Sequence, residues 1–288
     1  MATRSGYDQT MRSSGWRTSL DSVMGHMATY LDRILDRHRE AAATDQRSLA
    51  DLIAQAGHRP PTRGFALSLR NAVSVGELAV ISEIKRRSPS KGALNADLDP
   101  AVLAGLYEAG GAAALSVLTD EEFFGGSIAD LQLARAAVSL PVLRKDFTVD
   151  SRDVCDARLM GADCVLLIAA ALTLRELVDL HAVADEIGIE VLVEIHDERE
   201  LDAALAAGAR MVGVNQRDLV TFQVDHERAL RMAGVIPDGV VRVAESGVRD
   251  ADDARQLRLA GYHAILVGET LVTSPDPVAM LGILRTLR

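Results

Sequence analysis

Two lysines and three glutamates stand where short apolar runs give way to polar sequence: Glu83 and Lys85 in ISEIK, Lys145 in VLRK, Glu194 in VLVE, and Glu245 in VAE. Ser116, Asn215 and Ser246 occupy similar positions. If each run is a β-strand, side chains alternate between its faces, so Glu83 and Lys85 point the same way. By the same alternation Lys145 continues a row from Leu143, Glu194 one from Leu192, and Asn215 one from Gly213. A carboxylate beside a lysine keeps the ammonium charged. Several such groups gathered in a partly dry pocket shift one another's proton affinities, which general acid and base catalysis near neutral pH requires.

A second pattern suits an anion. ESGVRD at 245–250 and VGET at 267–270 place Gly247 and Gly268 in short turns that open helices. Backbone N–H groups there, backed by the helix dipole, hold a phosphate without a large basic patch. The loop KRRSPSKG at 85–92 adds Ser88 and a mobile cover. Metal chemistry is not expected. The seven histidines, His26, His38, His58, His181, His196, His226 and His263, are scattered, and His196 alone lies just beyond a strand end.

These residues need a frame that brings strand ends together. From Leu78 onward, β-rich apolar runs alternate with amphipathic stretches, and strands are expected at 78–84, 113–118, 140–144, 163–168, 190–195, 210–214, 240–244 and 263–267. Successive starts lie 20 to 35 residues apart, which suits one strand and one returning helix per unit. A weak repeat supports the count: EAGGAAALSV, LMGADCVLLI, AAGARMVGVN and LAGYHAILVG each run from a helix end through a glycine into a strand. The pattern predicts a (β/α)8 barrel at 73–288, whose function sits at the C-terminal strand ends. No GxGxxG follows the first strand, so dinucleotide binding is disfavoured.

Ahead of the barrel, Tyr30 to Ala43 and Leu49 to Ala56 have helical spacing, and HRPPTRG then breaks the chain. Residues 26–72 are therefore expected to form a helical extension packing on the barrel. Residues 1–25, polar and aperiodic, read as a disordered tail, with Met24 and Met27 as alternative starts.

The chain has 288 residues and a formal charge of -10. Its first 70 residues carry ten basic and seven acidic side chains, and the remainder 21 basic and 34 acidic, which argues against nucleic-acid binding. The longest apolar run, CVLLIAAALTL, is about half of the roughly 20 residues that span a bilayer. With no apolar h-region at the start, a cytoplasmic protein without membrane association is expected. Cys155 and Cys164 read as buried, inert thiols.

The strings ISEIKRRSPSKG (81–92), LSVLTDEEFFGGS (115–127), LRKDF (143–147), LVEIHDE (192–198), GVNQRDL (213–219) and VAESGV (243–248) closely resemble the indole-3-glycerol phosphate synthase family of tryptophan biosynthesis. The resemblance runs in order over roughly 30–288. It implies closure of 1-(2-carboxyphenylamino)-1-deoxyribulose 5-phosphate to indole-3-glycerol phosphate with loss of carbon dioxide and water, without a cofactor. On the family's pattern, Lys145 resembles the general acid that activates the substrate carbonyl, and Glu194 the base or proton partner of the later dehydration. Lys85, paired with Glu83, resembles the lysine that contacts the substrate carboxylate and can itself donate a proton; from sequence the two lysine roles are interchangeable. Asn215, Arg217, Ser116 and Glu245 resemble substrate-positioning groups. Ser88, Gly247, Gly268 and the backbone of Glu269 match the phosphate site, with Ser246 beside it.

Leu118, Phe123, Leu143, Leu166 and Leu219 would wall the aromatic ring. In GET at 268–270 a glutamate stands where a small residue often follows the glycine, which is harmless if the backbone alone is used. The chain ends after one barrel, so a fused isomerase half is not expected, and a monomer is. Two alternatives fit less well. A phosphoribosylanthranilate isomerase on the same barrel would need a Cys and Asp pair at strand ends, where neither cysteine lies, and a non-catalytic scaffold would lack Lys145 or Glu194.

Overall fold

The structure is a computed structural model and describes residues 29–89 and 91–286. The tail expected at 1–25, with Met24 and Met27, lies outside the described residues. Eight parallel strands close into a barrel: β1 (Ala79–Ile84), β4 (Ala114–Leu118), β5 (Val142–Lys145), β6 (Cys164–Ile168), β7 (Glu190–Ile195), β8 (Met211–Asn215), β9 (Val241–Glu245) and β10 (Ala264–Val267), with β10 returning to β1. Each lies within two residues of its expected span. The strands are largely apolar because both faces of a parallel barrel are buried. One face packs outward on the helices, with Val80, Leu115, Val165 and Ile265 in that layer. The other fills the interior with Ala79, Ile81, Leu143, Leu166, Leu192, Val243 and Leu266.

The repeat has a backbone cause. Gly161 (φ 104°) and Gly261 (φ 98°) adopt the left-handed conformation that stops a helix before its next strand, and the turn recurs at Gly111 and Gly208. Among the described residues, no helix is long and apolar enough to cross a membrane.

Three helices precede the barrel: α1 (Tyr30–Thr44), α2 (Leu49–Gly57) and α3 (Phe65–Ser74). The sequence pattern anticipates the first two and not α3. Phe65 and Leu69 of α3 are fully buried with the barrel interior, and Ala66 N–H donates to the Glu190 carboxylate at the start of β7, 3.2 Å away. This helix therefore closes the floor. α1 lies at the opposite end, where Tyr30 meets Phe123 and Phe222 edge-on at 5.6 and 5.3 Å. A short hairpin, β2 (Arg87–Ser88) with β3 (Gly92–Ala93), shapes the loop after β1, where the sequence pattern suggests a mobile cover.

Candidate active site

The C-terminal strand ends surround one cavity of about 330 Å³. Glu83, Lys85, Ser88, Lys145, Glu194, Asn215, Arg217, Glu245, Ser246, Gly247, Gly268 and Glu269 all line it. Ser116 does not. In register with Glu83 and Leu143, it lies in the packed interior, fully buried, and its hydroxyl has no partner among the described residues.

Glu194 is the hub. Its Oε2 accepts from Lys145 Nζ at 2.9 Å, and its Oε1 accepts from Asn215 Nδ2 at 2.9 Å. The amide of Asn215 is oriented from its other end, because Oδ1 accepts the Arg217 N–H at 3.0 Å. Beyond Glu194, His196 Nε2 lies 3.8 Å from Oε1, while its Nδ1 meets Glu200 at 3.1 Å. Lys145 also reaches Glu245 Oε2 at 3.7 Å, and Lys85 pairs closely with Glu83.

Burial opposes the charge on Lys145, yet the carboxylates of Glu194, Glu245 and Glu83 outweigh it and raise its pKa above the ordinary lysine value. Burial likewise opposes a charged Glu194, but Lys145 and His196 hold its pKa below the usual carboxylate range. Glu245 goes the other way. Burial, then the charge of Glu194, push it well above that range. The mouth therefore sets side by side a lysine biased toward its ammonium, a glutamate biased toward its carboxylate and a second glutamate biased toward its protonated form.

Two backbone features make room for these groups. Gly213 lies beneath Glu245, and a Cβ there would collide with Glu245 Oε1. Gly213→Ala is thus expected to cost about 1–3 kcal/mol of stability through overpacking. By displacing Glu245 it should lower kcat by on the order of 100-fold. A thermal melt read beside steady-state kinetics separates the two effects. After β9, Ser246 takes a left-handed φ of 63°, uncommon for a residue with a side chain, and Gln216 Nε2 holds its carbonyl at 2.8 Å. Gly247 follows at φ 77°, against Val224 and His226, so this turn presents backbone toward the cavity.

The apolar wall differs in part from expectation. Leu118, Leu166 and Leu219 line the cavity, joined by Phe124, Phe147, Ile168 and Phe222. Leu143 sits a layer below, and Phe123 turns away onto Tyr30. Both phenylalanines belong to the single turn α5 (Glu121–Phe124), where adjacent side chains point about 100° apart, so one of the pair faces inward. Lys91 pairs with Glu269 at 3.2 Å, drawing the hairpin loop across to the loop after β10.

Among the described residues, one group has the side chains of a metal site: His38, Asp120 and Asp146, with donor atoms within 4.8 Å of one another. The sequence reading missed it because α1 supplies the histidine from far along the chain. Cys155 and Cys164 are buried and unpaired, and burial pushes the Cys155 thiol up to about 11.

The family model described as indole-3-glycerol phosphate synthase matches residues 31–283. An indole-3-glycerol phosphate synthase of Chromobacterium violaceum is 48% identical over 245 residues, covering 85% of this chain and 92% of that relative. One of Parafrankia sp. is 51% identical over 249 residues, covering 86% and 91%. A solved thiamine phosphate pyrophosphorylase of Pyrococcus furiosus superposes with a TM-score of 0.54 at 16% identity, covering 75% of this chain and 95% of that one; this likeness concerns the fold alone.

Proposed function

The chain belongs to the indole-3-glycerol phosphate synthase family, and from that premise we propose how its barrel mouth carries out the carboxy-lyase reaction of tryptophan biosynthesis. The substrate is 1-(2-carboxyphenylamino)-1-deoxyribulose 5-phosphate. One observation carries the reading: Lys145, raised in pKa, lies within hydrogen-bond reach of Glu194, lowered in pKa, in a cavity with an apolar wall and a glycine-rich rim.

The phosphate would rest on backbone N–H groups of Gly247, Gly268 and Glu269, with Ser88 above, and the aromatic ring against Leu118, Phe124, Phe147 and Leu166. Lys85 would meet the substrate carboxylate. Because the chain is acidic overall, these local cations and N–H groups must supply the attraction.

In the first step the ring carbon bearing the carboxylate attacks the ketone carbon, a carbon–carbon bond forms, and Lys145 gives its proton to the ketone oxygen. Carbon dioxide then leaves and its bonding electrons restore the aromatic ring. In the last step the new hydroxyl departs as water with a proton from Lys85. The methylene beside the nitrogen gives up a proton to Glu194, and the second double bond of the five-membered ring forms. Two protons are given and one is taken, so one is drawn from solvent, matching conversion of a carboxylate into carbon dioxide. Asn215 and Glu245 would hold Glu194 and Lys145 in line through this sequence, with Arg217 fixing Asn215.

Two unpaired cysteines suit a reducing compartment, and we place the enzyme in the cytoplasm as a monomer that binds neither nucleic acid nor membrane. The test is incubation of purified protein with the substrate, followed by the fluorescence of the indole product. Steady formation of indole-3-glycerol phosphate is expected. A protein that isomerises phosphoribosylanthranilate instead, or binds the substrate without closing the ring, would overturn the reading.

A further inference from the structure

Helix α1 meets the loops at the mouth through three polar side chains: Arg37 pairs with exposed Glu122 at 3.3 Å, Arg39 donates to the Ala171 carbonyl at 3.0 Å, and His38 between them reaches two buried carboxylates. His38 Nε2 lies 3.1 Å from Asp120 Oδ2 and 3.8 Å from Asp146 Oδ1, and its ring packs on Phe147 with centroids 5.7 Å apart. These carboxylates stand at the roots of the two loops that build the aromatic wall. Asp146 directly follows Lys145. Asp120 caps α5 by accepting from the N–H groups of Phe123 and Phe124 at 2.6 and 3.1 Å. Phe124 and Phe147, 6.1 Å apart, both line the cavity.

Apart from Asp120 Oδ2, the carboxylate oxygens already have other partners. Asp120 Oδ1 takes the two α5 N–H groups, Asp146 Oδ1 takes the Phe147 N–H at 2.8 Å, and Asp146 Oδ2 takes Thr119 and Arg144. One donor, His38 Nε2, is left to face both loops. The charged groups around it are Asp120, Asp146, Asp153 from α7 (Ser151–Met160), and Arg144 behind Asp146. Three carboxylates against one guanidinium leave a local negative charge that a protonated imidazole reduces.

We propose that His38 is a positioning residue for ring closure: as an imidazolium it fastens α1 to the loops after β4 and β5, setting the aromatic wall and the place of Lys145. The inference rests on reading this cavity as the ring-closing site. The direction with pH follows from the surroundings. Burial favours the neutral ring, but Asp120 and Asp146 outweigh it and raise the pKa above the ordinary histidine value. The fastening is therefore complete below that value and is lost as the pH climbs through the raised one.

The test measures kcat and KM of wild type, His38→Gln and His38→Lys between about pH 6 and pH 9, with EDTA present. His38→Gln, neutral throughout, is expected to lower kcat about tenfold at the acid end, with KM little changed. The deficit relative to wild type should shrink toward the alkaline end. His38→Lys, cationic throughout, is expected to restore kcat and keep it where the wild type declines. Should His38→Gln fail to fold, the comparison of His38→Lys with wild type at high pH decides alone. A wild-type to His38→Gln ratio constant with pH overturns the proposal, as does a lysine variant that melts like wild type yet stays slow. Activity lost to EDTA and regained with a divalent metal would replace the imidazolium by a metal site. A wild type that forms no product overturns the functional reading as well, whereas an active enzyme with a flat ratio sinks the role of His38 alone.

Discussion

Lys145→Ala is expected to lower kcat/KM for ring closure by about 10²- to 10⁴-fold, the range for loss of a positioned proton donor. That corresponds to about 3–5 kcal/mol of transition-state stabilisation. Lys145 is the last residue of β5, so truncating its side chain does not disturb the strand's pairing with β4. It does leave Glu194 and Glu245 facing each other without their cation. Burial then dominates, the pKa of Glu194 rises, and the pair takes up a proton at neutral pH. The variant should fold, bind substrate through Lys85 and the phosphate rim, and fail at the first chemical step. Stopped-flow binding read beside steady-state turnover distinguishes this from unfolding. A variant that keeps most of its rate would hand the proton to Lys85 and reverse the two lysine roles.

The second large effect is at Glu194. Glu194→Gln keeps the shape and can still hydrogen-bond to Asn215 Nδ2, but it cannot accept a proton, and about 10²- to 10⁴-fold of the rate is expected to vanish. A pH signature follows. In the wild type, Glu194 contributes most among the carboxylates that hold Lys145 protonated against burial. With that charge gone, the pKa of Lys145 falls, so the residual activity should decline at lower pH than in the wild type. A pH profile of the variant from neutral to alkaline checks this, and an unmoved alkaline limb would argue that Lys145 is not the acid. The structural contribution has matching signs: that of Lys145 is lost as pH rises through its raised pKa, that of Glu194 as pH falls through its lowered one.

Most of this site was legible in the sequence because it follows strand periodicity. Lys145, Glu194, Asn215 and Glu245 each end an apolar run whose alternate residues fill the barrel, so their direction follows from residues two positions earlier. Ser116 obeys the same rule yet stays below the cavity, since alternation gives a side chain's face and not its depth along the barrel axis. The loops were harder. Phe123 and Phe124 are identical in type and adjacent, and only the packing of Tyr30 against Phe123 decides which one reaches the cavity. The floor helix α3 went unread for a related reason: it buries Phe65 and Leu69 against the barrel interior, a partner no local pattern reveals. His38 meets Asp120 and Asp146 across 82 and 108 residues, and nothing near it in sequence signals either carboxylate.

The division of labour between Lys145 and Glu194 is most directly tested by following carbon dioxide and indole together through the first turnover of Glu194→Gln. If Lys145 drives ring closure and Glu194 the later loss of water, carbon dioxide will appear ahead of indole in this variant, while Lys145→Ala will release neither at a comparable rate. Carbon dioxide and indole rising in step in Glu194→Gln, or prompt decarboxylation by Lys145→Ala, would contradict the assignment of acid and base on which the mechanism stands.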